Sequence, residues 1–233
     1  MRSSTALLLF TRTASQEAAA KKFVRSDKIM SEKVSQRLIE HSLRQVKESG
    51  LPYFVISPKK QRGSSFGERF TNAVEEVFSK GYHHAIAIGS DAPQITSGLL
   101  IHAAKDMDKS SLLLGPDKRG GIYLLGISSK TYCRKTLLGF RWNSADLFSD
   151  FIEWKNTCNL ACNILPPLKD VNGEADLQSL LQQKSIGLQL LNTLLSIIAA
   201  CKAALIPEII FLKNLSVQND IGRRGPPMLH PSC

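Results

Sequence analysis

The residues best suited to chemistry in this sequence stand where apolar runs end. The run in "AIAIGSDAPQIT", residues 85–96, stops at Gly89-Ser90-Asp91, and Pro93 two residues later keeps a helix from starting at once. A carboxylate at the end of a buried strand must offset its desolvation, through a neighbouring Arg or Lys, backbone N–H groups or a divalent cation. A hard cation such as Mg²⁺ takes one or two protein carboxylates and completes its shell with water and substrate phosphates. The purely structural alternative is that Asp91 caps the turn or helix after Pro93. Two other polar segments follow apolar runs, Thr11-Arg12-Thr13 and Gly115-Pro116-Asp117.

Several other residues carry a chemical and a structural reading side by side. Arg12, Lys21 and Lys22 can neutralise a pyrophosphate as forks or point charges. Arg69, in "GERF", either reaches a phosphate or pairs with Glu68 or Glu75. Gly120 and Gly121, in "GPDKRGGIYLLG", permit positive φ and close approach of a substrate, or simply turn the chain between two strands. Trp142, in "RWNSADLF", stacks on a sugar or base, or fills the core. Asp170 and Asn172, in "DVNGE", make an Asx-type turn and cap a helix starting near Glu174 on the structural reading.

Behind these residues lies an alternation of strands and helices. Strands are expected at Thr5–Phe10, Pro52–Ser57, "HAIAIGS", "SLLLGP" and "GIYLLGI". Helices are expected at about Ser31–Glu48, Phe66–Ser79 and Ser97–Met107, with a long polar Lys/Arg-rich segment after the first strand. The near-continuous apolar character of "HAIAIGS" suits a strand covered on both faces. "GIYLLGI" follows "LLLGP" too closely for a helix to intervene, so the two form an antiparallel pair or a bent return in a mixed sheet. The expectation is a three-layer α/β/α fold with a mixed, mostly parallel central sheet and a C-terminal helical extension. Its domains would span 1–182 and 183–233. In such sheets ligands lie outside the carboxyl ends of the strands, where the three polar segments would converge.

Composition narrows the function classes. The net charge is +10, and residues 1–60 hold 12 Lys/Arg against 5 Asp/Glu. Such a surface suits an anionic partner, or is only a solvated basic face. The basic residues are not interleaved with stacking aromatics, so nucleic acid is not an expected partner. The cysteines are odd in number, and Cys158 and Cys162 lack the further ligands of a zinc site, so they read as reduced thiols. The apolar run Leu7–Phe10 is shorter than a signal-peptide core, and a cytoplasmic location is the expectation. Residues 185–201 are 17 uncharged residues with Leu188, Leu191, Leu195 and Ile198 in a helical stripe. They read as a helix packed on the domain or making a homodimer contact, with membrane association unlikely for so short and polar a stretch. The Gly/Pro-rich tail, 219–233, is expected to be poorly ordered unless it docks.

"LLLFTR", "GSDAP", "LGPDKRGGIYLLGI", "FRWNSADLF" and "LPPLKDVNGEADL" occur in an order that resembles the bacterial family of arsenosugar-biosynthesis-type glycosyltransferases. That family is a branch of the nucleotide-diphospho-sugar (GT-A) transferase superfamily, and the resemblance covers roughly residues 5–182. It implies glycosyl transfer from a nucleoside-diphosphate sugar to an acceptor, assisted by Mg²⁺ or Mn²⁺ bridging the nucleotide phosphates. By the same resemblance Asp91 is a ligand of that cation, and Asp170 and Asn172 offer further oxygens. Asp117 is the nearest candidate for a general base acting on the acceptor hydroxyl. The chain departs from the family at several points. Arg119 precedes the glycine pair where relatives carry an acidic residue. Asn172 stands in a motif that usually reads Asp-Val-Asp-Thr. After the first strand relatives show Arg-x-Pro-x-x-Gly, and here both Pro and Gly are missing.

These departures keep two other classes open. A nucleotidyltransferase of the same fold would need a Gly-rich loop around a triphosphate, and none is evident. A degenerate protein that binds nucleotide or a partner without turnover is favoured by Arg119 and Asn172.

Overall fold

The computed structural model describes residues 4–183 and 185–200. Its centre is a six-stranded sheet in the order β2-β1-β3-β5-β4-β6. The strands are β1 (Thr5–Phe10), β2 (Tyr53–Ile56), β3 (His84–Ile88), β4 (Leu112–Pro116), β5 (Ile122–Ser128) and β6 (Cys162–Ile164). β1 is parallel to β2 and β3, β4 is parallel to β6, and β5 runs antiparallel to both neighbours. The short link between β4 and β5 therefore makes the antiparallel pair. One reversed strand in an otherwise parallel sheet gives the expected mixed architecture.

The helices are α1 (Ala14–Lys21), α2 (Lys28–Glu48), α3 (Phe66–Ser79), α4 (Ser97–Met107), α5 (Arg134–Gly139), α6 (Leu147–Thr157) and α7 (Glu174–Gln183). Residues 188–200 form a further helix, α8. Because side chains alternate across a strand, the two faces of β1 enter different cores. Ala6 and Leu8 join Val74 and Val77 of α3, Leu137 of α5, and Phe151 and Trp154 of α6. Leu7 and Leu9 join Val46 of α2 and Leu100 and Met107 of α4. These are the three layers.

A third cluster unites Val34 and Leu38 of α2, Leu177 and Leu180 of α7, and Leu190, Leu191 and Leu194 of α8. The helix thus packs on the domain, but through Leu190, Leu191 and Leu194; of the expected stripe Leu188 and Leu195 are exposed. Among the described residues no helix is long and apolar enough to cross a membrane. The 219–233 tail lies outside the described residues.

The sequence expectation for 12–30 requires correction. The polar segment after β1 contains α1, and α2 begins at Lys28 rather than Ser31. The signal was a capping box: the Thr13 hydroxyl accepts from Gln16 N while the Gln16 side chain accepts from Thr13 N. α1 carries few large apolar residues, so periodicity did not disclose it. α5 and α6 were likewise not anticipated.

Candidate active site

The carboxyl ends of β1, β3 and β4 point to one edge of the sheet, and their loops converge there. A cavity of about 560 Å³ opens between them. Of the residues singled out in the sequence, it is lined by Arg12, Lys21, Arg69, Asp91, Asp117, Gly121, Trp142, Asp170 and Asn172. Two do not reach it. Lys22 is the left-handed C-cap of α1, with φ 47°, and is exposed. Gly120 sits at φ +86° in the turn, where a Cβ would collide with the Ala145 carbonyl. His84 lies at the opposite end of β3, bonded to Thr5.

Asp91 is held by backbone rather than by a helix cap. The Val171 N–H donates to the Asp91 carbonyl at 2.8 Å, tying the loop after β3 to the segment that carries Asp170. That segment is also fastened to the end of β4, with Lys118 N donating to Leu168 O at 3.1 Å. Gly89 makes room for the carboxylate, since a Cβ there would lie 2.6 Å from Asp91 Oδ1. Asp117 begins a tight turn in which its N–H donates to Gly121 O at 3.0 Å and its carboxylate accepts from Arg119 N. The missing Cβ of Gly121 leaves space for Asp117 Oδ2. The paired glycines are therefore built into the turn that presents Asp117.

Asp170 lies in an electrostatically unfavourable place for a charged carboxylate. It is 8% exposed, and its Oδ1 is buried without a hydrogen-bond partner. Burial, then the charges of Asp91 and Asp117, push its pKa up to about 8. Asn172 sits at the exposed rim, its N–H donating to Asp176 Oδ2 at 3.0 Å. Asp176 also binds Arg119 and Lys169, and these partners draw its pKa down despite burial. Arg119 is thus engaged by Asp176 and Asp117 and is not simply an extra cation in the place of a carboxylate.

The basic side follows from α1. Lys21 Nζ lies 2.6 Å from Glu17 Oε1 and 3.2 Å from Asp91 Oδ2, with Arg12 3.7 Å from the other Glu17 oxygen. Burial lowers the Lys21 pKa, but the Asp91 and Glu17 charges and hydrogen bonds outweigh it and leave it raised. Arg69 makes neither expected ion pair; its guanidinium donates to Ser64 O at 2.9 Å. Glu17 escaped the sequence reading because it belongs to the unforeseen α1. Gln61 was also missed; its amide donates to Thr11 O at 2.9 Å and stiffens the β1 loop. Its position in a loop with no regular pattern offered no signal.

Trp142 packs against the core and also reaches the cavity. Its indole N–H donates to Leu137 O at 2.7 Å, and its ring packs on Phe66 and Phe70 at 5.3 and 4.8 Å between centroids. Phe10 and Phe151 line the cavity with it.

Whether the residues suit a divalent cation can be judged from their atoms. Asp91 and Asp170 are hard oxygen donors, and the orphaned Asp170 Oδ1 lacks a partner that a cation would supply. Among the described residues no group of three or more His, Cys, Asp or Glu side chains is arranged to hold a metal ion. The fit is therefore to an ion shared between two carboxylates and substrate oxygens, not to a complete protein cage.

Comparison with known proteins agrees with the architecture. A crystal structure from Desulfovibrio desulfuricans G20, described as a "putative nucleotide-diphospho-sugar transferase", is similar with a TM-score of 0.74 and 21% identity, over 85% of this chain and 98% of that one. Rv0371c from Mycobacterium tuberculosis H37Rv is similar at a TM-score of 0.47 and 10% identity, over 78% and 99%. No curated protein matches. At 21% identity the likeness to the Desulfovibrio protein is one of fold: the chain shares the mixed α/β fold of that structure. The family model described as "Uncharacterized protein conserved in bacteria (DUF2064)" matches residues 16–144, more than half of the chain, and the protein belongs to that family.

Proposed function

We propose that this protein is a transferase that moves a sugar from a nucleoside diphosphate to an acceptor hydroxyl, with a divalent cation shared between Asp91, Asp170 and the diphosphate. The observation that carries the reading is the buried Asp170 Oδ1, without a hydrogen-bond partner, beside Asp91 in a cavity that Arg12, Lys21 and Arg69 also line. Carboxylates with perturbed protonation in a cleft are expected where charge must be managed. Bound there, Mg²⁺ or Mn²⁺ would offset the negative charge growing on the departing diphosphate. Arg12, Lys21 and Arg69 share that charge. Asp117 takes the proton from the acceptor hydroxyl, its Oδ1 being held by the Arg119 N–H. Trp142, Phe10 and Phe151 give part of the cavity an apolar lining. The finer placement in the arsenosugar-biosynthesis-type branch rests on the five ordered segments in the sequence.

Nucleotidyl transfer is disfavoured because α1 starts only three residues after β1 ends, leaving no glycine-built loop to surround a triphosphate. Nucleotide binding without turnover is the second reading, favoured by the ion pair that already occupies Asp91. Melting temperatures measured with a panel of nucleoside diphosphates, with and without Mn²⁺, test the proposal. Stabilisation that requires both metal and nucleotide, followed by release of nucleoside diphosphate from an activated sugar, is expected. No response to any nucleotide, with Asp91→Ala behaving as the parent, would sink both enzymatic readings.

A further inference from the structure

The contact between α1 and the loop after β3 is more than a surface salt bridge. Glu17 is 8% exposed and the Lys21 side chain 10%, so a buried ammonium lies between two carboxylates from different elements. Glu17 and Lys21 are one helical turn apart, in the favourable order along α1. Lys22, in left-handed conformation, then turns the chain away, so the neighbouring lysine cannot substitute. Arg12 is half-exposed and 3.7 Å from the second Glu17 oxygen.

Resting on the metal reading above, we propose that Lys21 is a tethered cation that competes with the divalent ion for Asp91, and that Glu17 is its positioning partner. An ammonium 3.2 Å from Asp91 Oδ2 and a divalent ion on the same carboxylate repel each other, so Asp91 cannot hold both at close range. Occupation of Asp91 by the ion therefore turns Lys21 away, still paired to Glu17, toward the anionic end of the ligand. Anion and cation then bind with mutual reinforcement, since each gains when Lys21 leaves Asp91 for the anion. A lone divalent ion binds poorly for the same reason.

Mn²⁺ titrations of the full chain, read by the electron paramagnetic resonance of the free ion and by the Mn²⁺-dependent rise in melting temperature, test this. Lys21→Met is expected to bind Mn²⁺ at least tenfold more tightly than the parent, and Glu17→Gln more weakly, because Lys21 then has only Asp91. A structural role alone would weaken binding in both. Lys21→Met leaves the buried Glu17 with only the more distant Arg12 beside it, so Glu17→Gln/Lys21→Met is a second variant, also expected to bind more tightly than the parent. Equal or weaker binding by both Lys21 variants overturns the proposal. If Asp91→Asn abolishes Mn²⁺ binding while the Lys21 variants do not tighten it, only the competition falls. If no protein binds Mn²⁺, Lys21→Met included, the metal reading falls with it.

Discussion

Replacing Asp170 by Asn should stabilise the metal-free protein while removing its response to metal. In the folded chain the carboxyl has a pKa of about 8, raised by burial and by Asp91 and Asp117, against about 4 in an unfolded chain. The group is raised on folding, so its contribution is full below about pH 4 and is lost as pH climbs toward 8. Over that window the slope is about 1.4 kcal/mol per pH unit, which amounts to roughly 4 kcal/mol by pH 7. The proton belongs to the cluster of three carboxyls, which spreads the loss over a wider range. Asn keeps the shape and cannot ionise, but buries an amide in a place where one oxygen already lacks a partner, at a cost of about 1–3 kcal/mol. The net gain at pH 7 is thus about 2 kcal/mol, or a melting temperature about 4–8 °C higher for a protein of this size. Urea melts in EDTA at pH 4.5, 6, 7 and 8.5 measure it. The parent should lose stability across the series and Asp170→Asn much less. A variant destabilised at pH 7 and 8.5, or a pH dependence identical to the parent's, would refute the electrostatic account of Asp170.

Three further outcomes follow from local geometry. Gly89→Ala places a Cβ 2.6 Å from Asp91 Oδ1, so it should abolish the joint metal and nucleotide stabilisation. Its own melting temperature should fall by only a few degrees, as read by calorimetry. Leu194→Ala removes a fully buried side chain from the α2–α7–α8 cluster and should cost about 2–5 kcal/mol in urea melts; a neutral result would mean that α8 does not dock. Alkylation at pH 7.5 followed by mass spectrometry should modify Cys133 well before Cys162. Hydrogen bonds to Thr136 lower the exposed Cys133 thiol's pKa, whereas burial raises that of Cys162.

Much of this architecture is written locally in the chain. Continuous apolar character marks β3 as covered on both faces, and the break at Gly89 places Asp91 at its carboxyl end. The apolar spacing of Ser97–Met107 and Phe66–Ser79 reproduces α4 and α3, because one buried face repeats at the helical period. α1 and α5 were hidden for the opposite reason: α1 is short and poor in large apolar residues, so its capping box was the only strong local mark. Chemistry was less legible than fold. Lys21 and Lys22 are equivalent in sequence, yet one is buried between Glu17 and Asp91 and the other faces solvent. Asp170 and Asn172 both looked like oxygen donors, yet one is buried against two carboxylates and the other is pinned at the rim through Asp176. Those differences are set by contacts between residues distant in the chain, such as Val171 on Asp91 and Leu168 on the end of β4. The residue types name the acids and bases available; only packing decides which of them share a dielectric, and hence which charges compete.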